Sequence, residues 1–271
     1  MKQIPLEDTF ADIIGKAARG RGYDPVALAA AAGNTEAAVR EVLSGKADLA
    51  LIAELAEKLS LSPERVVSIA KGEYKPAAVE LPAGVAHYNT PFDDMTVNSF
   101  LAWDAESKKA VAFDTGTDCD GVLETLAKEG LTLEVILLTH SHGDHIIELD
   151  RLVEKTKAPA WIGEKEPIEG AQTFAVGKTF EVGKLKISTR STWGHSPGGV
   201  TYVVEGLASR LAIVGDAIFA GSMGGGNVSY PSALSTNREN ILTLPDDTII
   251  CPGHGPLTTV GEQKAANPFF P

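Results

Sequence analysis

The apolar positions along the chain change their period near residue 75. From about residue 24 to 72 they recur at helical spacing: Val26, Leu28 and Ala29, then Val39, Val42 and Leu43, then Leu51, Ile52, Leu55 and Leu59. Gly33-Asn34, Gly45 and Ser62-Pro63 punctuate that pattern, so it predicts short packed helices. KGEYKPAAVELPAG, residues 71–84, mixes Gly, Pro and charge without a period and reads as a linker. The expected division is a small all-α domain over residues 1–76 and a larger domain over 77–271. In the larger part, short apolar runs alternate with amphipathic stretches. VNSFLAW, KKAVAFDTG, EVILLTH, APAWIG, KTFEVGKLKISTR, GVTYVVEG, SRLAIVGD and DDTIICPGH predict strands; CDGVLETLAKEG and HIIELDRLVEKTK predict helices. This alternation points to an α/β layer architecture.

Composition changes this picture little, but it narrows the partners. A chain of 271 residues, 44% hydrophobic and with net charge −12, is expected to bury a core and offers no cationic footprint for nucleic acid. The first residues, MKQIPLEDTFADIIGKAARG, lack the pattern of a secretion signal, and no apolar run approaches spanning length. A cytoplasmic protein without a membrane partner is the expectation. Cys119 and Cys251 are far apart and neither has a CxxC partner, so both read as reduced, buried thiols.

The chemistry begins where EVILLTH ends. That strand is apolar up to Thr139, so it crosses the core and delivers His140 at its carboxyl end, where α/β ligand sites lie. In THSHGDHI, His140 and His142 project to one side of an extended segment and can share an ion. Gly143 permits a turn that places Asp144 near a helix N-terminus beside His145. Three further candidates stand at strand ends next to glycine-rich turns: His195 in WGHSPGG, Asp216 in LAIVGD and His254 in CPGHGP. His87, away from these turns, reads as structural. Imidazoles and carboxylates without thiolates suit Zn(II), with Fe(II) or Mn(II) as alternatives, and seven ligands exceed what one tetrahedral ion takes. Two divalent ions are therefore expected. His140, His142 and His195 are assigned to one, Asp144, His145 and His254 to the other, and Asp216 to both.

HSHGDH, GHSPGG, the Asp in VGDAIF and PGHGP, in this order, resemble the metallo-β-lactamase superfamily and its glyoxalase II-like hydrolase branch. The resemblance covers about residues 84–271. It implies an αββα sandwich with the site at one edge, and the same ligand assignment. It also implies a hydroxide held between the ions that attacks a thioester, ester or lactone carbonyl, oriented by Asp144. The substrate expected is a small, anionic acyl compound. Asp114 is a candidate acceptor for a ligand histidine, and Ser222 and Met223 are expected to line the substrate cleft. Departures from the branch are Ile146-Ile147-Glu148 after the DH pair and Gly225 where a basic residue usually follows. Few residues follow His254, so a glutathione-holding helical segment is not expected. Asp216, where antibiotic-degrading members carry cysteine, argues against penicillin hydrolysis. A rival within the branch is a mononuclear iron persulfide dioxygenase using His140, His195 and Asp216.

The helical part carries a second resemblance. ALAAAAGNTEAAVREVLSGKADLALIAELAEKLSLSPERV looks like a Cro/repressor-type helix-turn-helix, which implies a DNA-binding regulator with a metabolite-sensing second domain as another rival. Its recognition helix would present Glu36, Ala37, Ala38 and Glu41, and residues 1–80 hold 10 Lys/Arg against 12 Asp/Glu. Acidic and methyl groups there do not suit phosphates or bases. A module that covers the active site or mediates homo-oligomerisation is the preferred expectation.

Overall fold

The computed structural model describes residues 4–271. Five helices come first: α1 (Phe10–Gly20), α2 (Pro25–Ala31), α3 (Glu36–Leu43), α4 (Leu49–Lys58) and α5 (Pro63–Ala70). Side-chain caps from Thr9, Asp24, Thr35 and Asp48 start the first four, and Pro opens α2 and α5. The sequence reading did not include α1. Its Thr9/Asp12 capping box and buried Phe10, Ile13, Ile14 and Ala17 account for its formation. On α3, the exposed Glu36 and Glu41 pair with Arg40 and Lys46. Residues 73–82 hold neither helix nor strand.

Two six-stranded sheets follow. The first contains β1 (Val85–Phe92), β2 (Met95–Trp103), β3 (Lys109–Phe113), β4 (Thr132–Leu137), β5 (Ala160–Gly163) and β6 (Ala171–Phe174), in that spatial order. Its β1–β3 are antiparallel and β3–β6 parallel. The parallel crossovers carry α6 (Asp120–Glu129), α7 (Gly143–Ile146) and α8 (Leu149–Thr156). The second sheet holds β7 (Thr179–Val182), β8 (Leu185–Ser191), β9 (Val200–Glu205), β10 (Leu211–Gly215), β11 (Ile249–Pro252) and β12 (Thr258–Thr259), with α9 (Tyr230–Asn240) between β10 and β11 and α10 (Val260–Ala266) last.

Three apolar layers hold this together. Phe100, Phe113, Tyr202, Ile213 and Cys251 fill the space between the sheets. Leu101, Ile136, Val122 and Leu152 seal α6 and α8 onto the first sheet. The outer face of the second sheet, through Val203, Ala212 and Val214, shares one core with α1–α5, α9 and the C-terminal Phe269 and Phe270. The chain is an αββα sandwich preceded by a helical region, and that region is packed against the sandwich. Arg65 donates to the carbonyls of Asn267 and Phe270, both at 2.8 Å, which ties α5 to the tail.

Two expected elements differ in the structure. HIIELDRLVEKTK is two helices, α7 and α8, because Thr115 takes the carbonyl of His145 with both its N–H (2.8 Å) and its hydroxyl (3.0 Å), so the helical ladder cannot continue through it. KTFEVGKLKISTR is a hairpin of β7 and β8, turning at Gly183 with φ 57°. No helix among the described residues is long and apolar enough to cross a membrane.

Candidate metal centre

The strand ends of both sheets meet at one edge of the sandwich. His140 leaves β4, His142 and His145 flank the start of α7, His195 sits in the turn between β8 and β9, Asp216 follows β10 and His254 follows β11. Their ligand-capable atoms form two groups: His140, His142, His195 and Asp216, and Asp144, His145 and His254. Within the first, His142 Nδ1 lies 3.0 Å from Nε2 of both His140 and His195, and Asp216 Oδ2 lies 3.4 Å from His195 Nε2 and 4.0 Å from His140 Nε2. Within the second, Asp144 Oδ2 is 3.2 Å from His254 Nε2 and 3.5 Å from His145 Nε2. Asp216 touches this group too, 3.3 Å from His145 Nε2 and 3.4 Å from His254 Nε2.

Two observations fit these residues to metal. Ligand atoms around a tetrahedral ion with bonds of about 2.0–2.1 Å stand roughly 3.3 Å apart, and the spacings here scatter about that value. In addition, Nε2 of His145 and Oδ1 of Asp216 are buried with no hydrogen-bond partner, a costly arrangement unless a cation satisfies them.

In four of the five histidines the other ring nitrogen is held from behind. His145 Nδ1 donates to Asp114 (2.8 Å), His254 Nδ1 to the Thr96 carbonyl (2.8 Å) and His195 Nδ1 to the Gly225 carbonyl (3.0 Å). Thr139 donates its hydroxyl to Asp114 and its oxygen lies 3.0 Å from His140 Nδ1. These contacts fix the tautomers so that Nε2 of these four faces the centre, while His142 faces it with Nδ1. Asp114 itself sits in the left-handed region at φ 53°, where its carboxylate also receives the Thr139 N–H at 2.7 Å.

The local charges are strongly coupled. Burial pulls the His145 and His254 imidazoles down, but Asp216 with Asp114 and Asp144 outweighs it, pushing them up to about 10 and about 11. Burial raises the Asp216 carboxyl, yet His254 and His145 hold it well below the usual carboxylate range. His140 and His195 fall, chiefly by burial.

The structure brings all seven expected ligands together and puts Asp114 against His145. It does not put Ser222 and Met223 in a cleft, which corrects that expectation. Ser222 is 1% exposed and donates to Asp8, and Met223 is 1% exposed within the core shared with α1. Sequence reasoning also missed Glu166. This buried carboxylate accepts from Ser141, between His140 and His142 (3.1 Å), and from Ser196, beside His195 (2.9 Å), so it joins the two loops that supply the first group. Nothing local to GEKEP signals that role.

The family model for the metallo-beta-lactamase superfamily matches residues 92–254. The chain belongs to this superfamily. Among curated relatives, it is 32% identical over 188 residues to the probable metallo-hydrolase YqgX of Bacillus subtilis (strain 168), covering 60% of this chain and 87% of the relative. It is 29% identical over 198 residues to the hydroxyacylglutathione hydrolase GloC of Haemophilus influenzae, covering 64% and 92%. Among solved structures, ETHE1 from Myxococcus xanthus superposes with TM-score 0.60 at 25% identity, covering 68% of this chain and 83% of the other. TTHA1623 in a di-iron-bound form gives TM-score 0.56 at 26% identity, covering 67% and 99%. The family match begins at residue 92, so α1–α5 lie outside it.

Proposed function

We propose that this superfamily member is a binuclear metallohydrolase, with Zn(II) as the working metal, that cleaves a thioester, ester or lactone of a small acyl compound in the manner of glyoxalase II. The observation that carries the reading is Asp216, whose carboxylate lies within 3.4 Å of His195 on one side and of His145 and His254 on the other. A carboxylate so placed could serve an ion in each ligand group. Divalent ions held there supply the Lewis acidity that makes water nucleophilic near neutral pH and polarises an acyl carbonyl. The protein's part is to fix the ligands through Asp114, Thr96, Gly225 and Glu166, and to hold the Asp144 carboxylate at the centre, 13% exposed, where it can orient the attacking water. The mononuclear iron dioxygenase alternative, which the likeness to ETHE1 supports, employs His140, His195 and Asp216 and leaves the buried Nε2 of His145 unexplained.

A panel of thioesters, lactones, esters and phosphodiesters, run beside oxygen uptake on a persulfide, separates these readings. Turnover of carbonyl esters or thioesters without oxygen consumption is the expected result. Oxygen uptake on the persulfide with no ester cleavage would replace hydrolysis by oxidation.

A further inference from the structure

Residues 5–16 precede the family-matched part of the chain, yet they lie against the metal centre. Gly255, next to the ligand His254, has so little room that a Cβ there would sit 3.2 Å from the Glu7 nitrogen, 3.5 Å from the Glu7 Cβ and 3.6 Å from the Pro5 carbonyl oxygen. Segment 5–7 therefore runs across the PGHG turn in van der Waals contact. The next residue anchors it. Asp8 is buried, accepts from Ser222 at 2.5 Å and pairs with Lys16 of α1 at 2.5 Å. The Lys16 ammonium also donates to the Met223 carbonyl at 3.0 Å and stands 5.1 Å over the Phe219 ring, whose other neighbour is the His254 ring at 5.8 Å.

This arrangement separates two neighbouring carboxylates. The Asp8 charge is offset by Lys16 and its oxygen is bonded to Ser222. Glu7 is half-buried, and among the described residues it forms no ion pair. Its Cβ stands beside Gly255, the residue after His254, and its carboxyl is raised from its ordinary value chiefly by burial, with His254 and Lys16 opposing and Asp8 and Asp216 adding to the rise. The turn 221–226, GSMGGG, adds no charged side chain of its own. The fixed charge that the protein adds on the His254 side is thus negative.

We propose that segment 5–7 borders the metal centre on its His254 side and that Glu7 is a specificity-determining residue, favouring substrates with positive charge on that side over those with negative charge there. The proposal rests on the metal-centre reading above and deepens it. Divalent ions held at the centre would draw the acyl carbonyl, and Glu7 would read the group beyond it. Unlike charges on that side attract and like charges repel, and salt screens both, so the selectivity expected is several-fold.

The test uses the full chain loaded with Co(II) and three thiols that differ only in the charge of their tail: thiocholine, 2-mercaptoethanol and 2-mercaptoethanesulfonate. The thiolate-to-cobalt absorption band gives each Kd without any turnover. In the unsubstituted protein thiocholine is expected to bind tightest and the sulfonate weakest. Glu7→Gln should cut the thiocholine-to-sulfonate preference about five- to tenfold, and Glu7→Lys should reverse it, with cobalt content and Tm unchanged in both. A preference that is the same in all three proteins overturns the assignment of Glu7 while leaving the metal centre intact. A chain that takes up no cobalt removes the centre itself, and with it this proposal.

Discussion

At the residue scale, the centre depends on groups that never meet the metal. The ligands were legible because each stands in a short local pattern, an apolar strand that ends in His or Asp beside a glycine turn, and such patterns need no knowledge of distant contacts. Glu166 and Asp8 were not. Their partners are 25 to 30 and 214 residues away, and neither sits in a pattern that distinguishes it from any surface acid. Ser222 and Met223 were misplaced for the same reason: small and apolar residues after Asp216 suit a cleft wall, and only the long-range packing of α1 shows that this face is covered. Because Glu166 holds both loops of the first ligand group, Glu166→Ala is expected to weaken metal binding at His140, His142 and His195 about 10- to 100-fold, and Glu166→Gln by less. Competition against a chromophoric chelator measures this, and the site of Asp144, His145 and His254 should keep its affinity. Equal loss at both sites would mean that Glu166 supports the fold and not those two loops.

At the element scale, strands with apolar runs were readable from period alone, whereas breaks imposed by tertiary contacts were not. The split between α7 and α8 arises from Thr115, a residue 30 positions earlier that captures a helical carbonyl. Placement of α1 depends on close approach. A Cβ on Gly20, in its last turn, would come within 2.2 Å of the Tyr230 ring on α9. Gly20→Ala is therefore expected to destabilise the protein by about 1–3 kcal/mol through overpacking, seen as a lowered Tm in thermal unfolding. Unchanged stability would show that α1 does not pack on α9 in solution. The helix-turn-helix resemblance describes α2 and α3 by sequence; their acidic side chains on α3 are already paired with Arg40 and Lys46.

At the scale of the whole molecule, the metal centre couples folding to pH. In the metal-free chain His145 and His254 are pushed up to about 10 and about 11, whereas an unfolded histidine titrates near 6.5. A raised folded-state pKa means that this stabilisation is complete below about pH 6.5 and is lost progressively as pH rises toward 10–11. Metal binding requires the same nitrogens to shed their protons, so it strengthens over that range. Thermal unfolding should accordingly show the Tm of metal-free protein falling from pH 6.5 to 9 and the gain in Tm from added zinc growing. A zinc-induced gain that shrinks with rising pH would contradict the proton competition at these two residues.

The proposed bridging role of Asp216 is open to one direct determination: metal content per chain, by elemental analysis of protein saturated with Zn(II) and freed of excess, for the unsubstituted chain and for Asp216→Ala. Two ions per chain are expected in the first and a loss from both positions in the second, because the same carboxylate faces both histidine sets. A single ion in the unsubstituted chain, or two ions retained after Asp216 is removed, would contradict a shared carboxylate at a two-metal centre.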